Sequence, residues 1–118
     1  MRAKDVLGRE GEQAAADYLT GRGFRILDRN WRCAGGEIDI VAVDRRTFVV
    51  CEVKTRSGTQ YGAPVEAVGP RKHKRLRRLA AIWLSAHGIR FDEIRIDVLG
   101  LLRDGTDGFT IEHVRGVG

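Results

Sequence analysis

The sequence is poor in the residues that build disulfide-rich and zinc-dependent folds. It holds two cysteines, Cys33 and Cys51, and three histidines in 118 residues. It has no CxxC pair and no His or Cys neighbours at zinc-ligand spacing. Neither a disulfide framework nor a zinc site is expected, so both thiols are predicted to be buried or half-buried, and the histidines to serve at the surface or in helix caps.

The sequence also lacks the long apolar runs of membrane proteins. No run approaches the roughly 20 residues that a bilayer-spanning helix needs, and the N-terminus MRAKD lacks the apolar stretch of a signal peptide. A cytoplasmic protein with no membrane partner is expected. No GxGxxG, Walker loop or GxSxG motif occurs, so neither a nucleotide cofactor nor serine-hydrolase activity is expected.

Length and charge limit the number of domains and the class of partner that can be expected. With 118 residues and 42% hydrophobic content, residues 1–118 are predicted to form one domain with its own core. The chain has 21 Lys and Arg against 16 Asp and Glu, a net charge of +5. This balance favours a polyanionic partner without proving one, because many basic domains bind nothing acidic.

Hydrophobic periodicity predicts two helices and five strands. The first helix covers about 8–20, and the second begins at Pro70 and ends near His87. Strands are predicted at 24–32, 36–43, 47–54, 94–98 and 109–111, with turn-rich segments at 60–70 and 104–108. The order α-β-β-β-α-β-β predicts an α/β fold, a central mixed sheet flanked by helices, in which a helical crossover makes one strand pair parallel.

The second and third strands, GEIDIVAV and TFVVCEVK, carry ionisable groups far from the turn that joins them. A two-residue turn at Arg45-Arg46 would place Asp39 opposite Glu52 and Glu37 opposite Lys54. Facing carboxylates repel, and burial increases the cost. A hard cation such as Mg²⁺ or Mn²⁺ would offset it, with Lys54 holding a scissile phosphate or orienting the attacking water. The alternative is a set of ion pairs at an exposed strand edge.

One carboxylate interrupts a small and apolar face of the first helix. At helical spacing this face consists of Gly8, Glu12, Ala15, Ala16 and Leu19. Glu12 is therefore predicted to point toward the body of the protein and to belong to the site, whereas Glu10 meets water.

Positive charge is concentrated at the start of the second helix, in the run RKHKRLRR. Cations there oppose the helix dipole, so helix stability does not explain them, whereas phosphate contacts do. Five residues are predicted to contact nucleic acid: Arg71, Lys72, Lys74, Arg75 and Arg56. Lys72 precedes Leu76 by four residues and so lies near the face that meets the sheet. The alternative is a solvated face that forms salt bridges with acidic loops.

Several of these motifs occur together in a known family. The strings GREGE at 8–12, RNWR at 29–32, GEID at 36–39 and EVKTR at 52–56 resemble the YraN family of small endonuclease-related proteins. Asp39 followed by EVK resembles the PD-(D/E)xK nuclease signature of restriction endonucleases and Holliday-junction resolvases, with Ile38 in place of its proline.

The resemblance implies a restriction-endonuclease-like fold in which Asp39, Glu52 and Glu12 hold Mg²⁺ or Mn²⁺ and Lys54 completes the catalytic set. It implies a nuclease acting on DNA phosphodiester bonds, branched or damaged DNA included, with a homodimer as one option for its assembly. Nuclease folds also serve other roles, so the alternative is a non-catalytic module that binds nucleic acid.

Overall fold

Two helices and five strands make up the structure, a computed structural model that describes residues 3–57, 69–103 and 108–117. Along the chain they are α1 (Ala3–Gly21), β1 (Arg25–Cys33), β2 (Gly36–Asp44), β3 (Thr47–Arg56), α2 (Pro70–His87), β4 (Glu93–Leu102) and β5 (Thr110–Val114). The turn-rich segments predicted at 60–70 and 104–108 lie largely outside the described residues.

The strands form a mixed sheet in the order β1-β2-β3-β4-β5. β1, β2 and β3 are antiparallel neighbours, β3 and β4 are parallel, and β4 and β5 are antiparallel. The parallel pair follows from the crossover through α2, as the sequence predicted, because parallel neighbours need a long connection.

Each face of the sheet is covered by one helix. The α1 cluster includes Ala15, Ala16, Leu19, Ile40, Ala42, Val49, Cys51, Leu99 and Leu101. The α2 cluster includes Ile38, Val41, Phe48, Val50, Leu76, Leu79, Ala80, Trp83 and Ile96. The predicted central sheet flanked by helices is confirmed, and the stripes predicted on both helices are the surfaces that they bury.

The largest differences from the predicted boundaries are in α1, β4 and β5. Helix α1 begins at Ala3, five residues early, and Val6 in this first part is exposed and so does not extend the buried stripe. Strand β4 continues to Leu102. Its second half, VLGLL, pairs with strands on both sides and is mostly buried, so it lacks the alternation by which a half-buried strand is recognised. Strand β5 is shifted to Thr110–Val114.

The surface or cap role expected for the histidines is wrong for His113. Its side chain is 5% exposed and lies 2.9 Å from an Asp97 oxygen, and its other ring nitrogen lies 3.2 Å from the Tyr18 hydroxyl. A buried imidazole is stable here because both nitrogens have partners on neighbouring elements. His87 does occupy a cap, with its Nδ1 2.8 Å from the Trp83 carbonyl oxygen.

The hairpin has the predicted two-residue turn. Five pairs run from Asp44–Thr47 to Ile40–Cys51, and the register is confirmed over that length. The turn lacks glycine, and Arg45 takes the left-handed conformation with φ +59 instead.

The alternation of β2 breaks at Asp39. Ile38 packs in the α2 cluster and Ile40 in the α1 cluster, although two positions along a regular strand share a face. On the neighbouring strand β1, Asn30 lies between the pairs Arg29–Ile40 and Trp31–Ile38, at the level of Asp39. Its φ of +51 is a conformation that asparagine tolerates better than most residues. Such an irregularity redirects side chains, and here it lies beside the predicted site.

The structure bears on two features of the sequence, its cysteines and its lack of long apolar runs. Both cysteines are free, with Cys33 half-buried and Cys51 buried, as predicted. Across the described ranges, neither helix combines the length and the apolar character that crossing a membrane requires.

Helix α1 approaches β3 closely at Gly11. A Cβ atom there would lie 2.1 Å from the Thr55 Oγ1, far inside van der Waals contact. Gly8, one turn earlier, has room, since no described atom would lie within 4 Å of its Cβ. Close packing therefore requires glycine at one of these positions and not at the other.

We expect Gly11→Ala to lower the free energy of unfolding by about 1–3 kcal/mol, because the added methyl group forces α1 away from β3. Gly8→Ala is the matched control and should stabilise the protein by up to about 1 kcal/mol through helix propensity. Urea denaturation measures both. Equal effects of the two substitutions would contradict the close approach.

Candidate active site

A small cavity opens where β2 begins and β3 ends, beneath the first turns of α2. Its volume is about 130 Å³. Its lining consists of Glu37, Asp39, Glu52, Lys72, Arg75, Leu76 and Leu79. The structure therefore brings the predicted carboxylates of two strands together with basic side chains of a helix.

Glu52 is the most buried carboxylate of this cavity, with 6% of the residue exposed. Its Oε1 lies 2.5 Å from the Lys72 Nζ and 3.3 Å from the Lys54 Nζ. A buried carboxylate is stable only when it is paired, and here one oxygen has two cationic partners. Sequence reasoning assigned Lys72 to phosphate binding, and the structure adds its contact with Glu52.

Asp39 lies at the point where regular pairing of β2 with β3 ends. Its Oδ2 accepts a hydrogen bond of 2.8 Å from the Val53 backbone N–H. Burial, followed by the negative charge of Glu52, raises the pKa of Asp39 from 3.8 to about 7, against the opposing effect of the Val53 hydrogen bond. Among the described residues, no cation forms a salt bridge with Asp39.

The two lysines at Glu52 differ in proton affinity. Burial lowers the pKa of Lys54, and the neighbouring Lys72 adds to the effect. Burial also opposes the charged form of Lys72, but the hydrogen bonds to Glu52 and Lys54 and the charges of Glu52 and Asp39 together outweigh burial and raise the pKa of Lys72. Lys72 is thus the firmer counterion of Glu52, and Lys54 is the ammonium group that gives up its proton more readily.

Glu12 lies beside the cavity rather than in its lining. It is half-buried on α1, and its charge contributes to the raised pKa of Asp39. Within the described ranges, no three His, Cys, Asp or Glu side chains are grouped so as to hold a metal ion. Glu10 is exposed, as predicted, and lies 2.5 Å from Arg103.

Basic side chains of α2 lie at the cavity and next to it along the helix. Arg75 is part of the lining, and Arg71 and Lys74 precede it in α2. All three are exposed and form no salt bridge with any residue that the structure describes. Arg56 follows Lys54 at the end of β3 and donates a hydrogen bond of 3.1 Å to the Thr55 carbonyl oxygen. The remaining N–H donors of Arg56 and these three cations of α2 provide positive charge near the carboxylates, and no described acidic residue pairs with it.

Glu37 is a cavity residue that the predicted site did not include. It lines the cavity and also pairs with Arg32 at 2.9 Å, in an exposed contact of the kind that contributes little to stability. The GEID string already placed Glu37 two positions from Asp39. The predicted hairpin register, however, paired it with Lys54 on the neighbouring strand, and it received no separate role.

Comparison with known proteins gives a consistent family. The model described as "Uncharacterised protein family UPF0102" matches residues 11–101, a range that contains the whole candidate site. A UPF0102 protein of Arthrobacter sp. (strain FB24) is 55% identical over 118 residues, covering 100% of both chains. A UPF0102 protein of Paenarthrobacter aurescens (strain TC1) is 53% identical over 117 residues, covering 99% of this chain and 97% of the relative.

The raised pKa of Asp39 predicts a pH-dependent stability. Between about 4 and about 7, the folded protein keeps a proton that the unfolded chain has released. Stability should therefore fall as pH rises through this window and level off above it. Asp39→Asn should remove the fall and, in metal-free buffer at pH 8, make the protein more stable than the wild type by roughly 2–4 kcal/mol.

Urea denaturation between pH 4.5 and 8.5 measures this effect. Asp92→Asn, which changes an exposed carboxylate at the start of β4, should leave the pH dependence of the wild type in place. An Asp39→Asn protein less stable than the wild type at pH 8 would show that Asp39 is a well-paired anion.

Proposed function

The chain belongs to the family UPF0102, as its YraN-like motifs indicated, and we propose that it is a metal-dependent nuclease on a restriction-endonuclease-like fold, acting on DNA phosphodiester bonds. The observation that carries this proposal is the meeting of Asp39, Glu52 and Lys72 in one cavity, with the Lys54 Nζ 3.3 Å from Glu52. Carboxylates beside lysines at the end of a strand hairpin suit metal-assisted hydrolysis of a phosphodiester.

The donor set fits a hard divalent cation. Asp39 and Glu52 offer carboxylate oxygens from adjacent strands, and burial, followed by the charge of Glu52, raises the pKa of Asp39, an effect that a bound cation would oppose. These two residues would hold Mg²⁺ or Mn²⁺, with Glu12 as the third carboxylate nearby and the remaining positions left to water or phosphate oxygens. The bound ion would polarise the scissile phosphate and lower the pKa of a water molecule.

The chain's own cations take separate roles in this proposal. Lys72 stays on Glu52 and fixes that carboxylate, since their contact is the shorter of the two. Lys54, with its lowered pKa, holds a phosphate oxygen or orients the attacking water. Arg71, Lys74 and Arg75 contact neighbouring phosphates along the strand, which positions DNA without reading its sequence.

A second candidate is a non-catalytic module that binds nucleic acid. It is favoured by the same Glu52, because two ammonium groups already neutralise this carboxylate without any metal ion. In that case the carboxylates form structural ion pairs and only the basic start of α2 contacts DNA. Metal-dependent cleavage separates the two candidates.

Cleavage of duplex, branched and single-stranded DNA with Mg²⁺ or Mn²⁺ tests the proposal. Asp39→Asn and Glu52→Gln should abolish cleavage, because each removes an anionic ligand. Lys54→Met keeps both carboxylates, so turnover should fall by about 10²-fold while metal binding persists. Glu12→Gln should impair cleavage, and Glu10→Gln, its exposed counterpart on α1, should not.

Equal cleavage by all five variants would reveal a contaminating nuclease. Failure of the wild type to cleave any of the substrates, together with retained DNA binding, would establish the non-catalytic module.

The basic start of α2 predicts salt-dependent DNA binding. Arg71→Gln with Lys74→Gln should weaken duplex binding and reduce the slope of log Kd against log salt concentration by about 0.9 for each phosphate that the variant no longer neutralises. Fluorescence anisotropy measures this. The control double variant, Arg25→Gln with Arg90→Gln, removes the same charge from exposed positions at the other end of the sheet. An equal slope change in both would indicate a diffuse effect of net charge.

A further inference from the structure

A second and larger pocket, at the opposite end of the sheet, is lined mainly by arginine. Its volume is about 570 Å³. Its lining consists of Arg22, Asp44, Arg45, Arg46, Thr47, Arg95 and Arg115. The rise of about 3.3 Å per residue along β3 from Thr47 to Glu52 separates it from the carboxylate cavity by roughly 16 Å. This arginine pocket is therefore a separate feature.

Two of its arginines contact the same carboxylate. The Arg95 Nε lies 2.8 Å from the Asp97 Oδ1, and its Nη2 lies 3.0 Å from the Asp44 Oδ2. Arg115 is more exposed and lies 3.5 Å from the same Asp44 oxygen. Both guanidinium groups also stand over the Phe24 ring, at 5.8 Å and 5.4 Å from its centroid. Arg95, with two carboxylate partners, is thus oriented before any ligand arrives.

The anchor beneath them is the fully buried Asp97. Besides Arg95, this carboxylate accepts a hydrogen bond of 3.0 Å from the Gly116 N–H, and it lies 2.9 Å from His113. These contacts tie β4 to β5 and to the segment that carries Arg115. The pocket wall is therefore part of the core's polar network rather than a set of loose surface side chains.

The pocket has more positive charge than its carboxylates neutralise. Arg22, Arg45 and Arg46 form no salt bridge within the described part of the chain. Asp44 already pairs with Arg95 and Arg115, and Asp97 pairs with Arg95. The nearby Glu93 accepts a hydrogen bond of 3.2 Å from Thr47 and pairs with no described arginine. Clustered cations repel one another, and an anionic ligand relieves that repulsion.

The chemistry of the lining selects the class of anion. Guanidinium groups form paired hydrogen bonds with phosphate oxygens, and several of them together favour a ligand with several charges. All the described lining residues are charged or polar, which favours a charged ligand over an apolar one. We propose that the arginine pocket binds clustered phosphate groups, supplied either by a free polyphosphate or by consecutive phosphates of a nucleic-acid strand.

Calorimetric titration of the full chain with inorganic tripolyphosphate, in metal-free buffer at low salt, tests this proposal. The wild type should bind, and Arg45→Gln with Arg46→Gln should weaken binding about tenfold or more, because both arginines face the ligand without a carboxylate partner. The control Arg25→Gln with Arg90→Gln removes the same charge from exposed residues outside the lining and should change Kd by less than about twofold. Thermal melting shows that each variant folds.

A second arm uses a short DNA duplex and distinguishes the two sources of phosphate. If the duplex displaces tripolyphosphate and Arg45→Gln with Arg46→Gln weakens duplex binding, the pocket takes the nucleic-acid backbone. If duplex binding is unchanged by the substitutions, the pocket takes a free polyphosphate. No binding of tripolyphosphate to the wild type, or an equal loss in the control variant, would overturn the proposal, whatever the cleavage assays show.

Discussion

The contact between Glu52 and Lys72 joins the end of β3 to the first turn of α2, and the geometry of the carboxylate cavity depends on it. Glu52 is almost completely buried, and a buried carboxylate is strongly disfavoured unless a cation pairs with it. Lysine at the start of a helix opposes the helix dipole. The pairing with Glu52 offsets that opposition and explains why a cation lies where helix stability alone would disfavour it.

The same contact lies at the start of the α2 crossover. Strand β3 ends beside the cavity, α2 returns across one face of the sheet, and β4 then runs parallel to β3. The two ends of β3 therefore acquire different chemistry. Carboxylates with lysines gather at one end, and arginines gather at the other, around the hairpin turn. The basic chain, with a net charge of +5, thus has two separate basic regions.

Sequence patterns predicted the elements with the clearest apolar signal. The stripe of α2 identified a helix that buries one face, and the apolar run in TFVVCEVK identified a core strand that is buried on both faces. The hairpin turn followed from the register between β2 and β3. Strand alternation failed where burial or backbone geometry departs from regularity. The second half of β4 is buried on both faces, and the backbone at Asn30 and Asp39 changes the face to which β2 directs its side chains.

Long-range polar contacts were harder to anticipate from the sequence. Arg95 and Asp97 alternate with apolar residues on β4, which signals that one face of this strand is charged. Nothing in that pattern indicates that Asp97 is fully buried or that His113 is its partner, because both facts depend on how β5 pairs with β4. The carboxylates of the candidate site were easier to predict, since they lie on two strands joined by a short turn.

The central claim is that Asp39 and Glu52 form a site for a divalent cation. Calorimetric titration of the wild type with Mn²⁺ at pH 6 and pH 8 tests it most directly. We expect one site, weaker at pH 6, where Asp39 with its pKa of about 7 must first release a proton, and absent from Asp39→Asn. No heat of binding at either pH, or unchanged binding in Asp39→Asn, would contradict this claim.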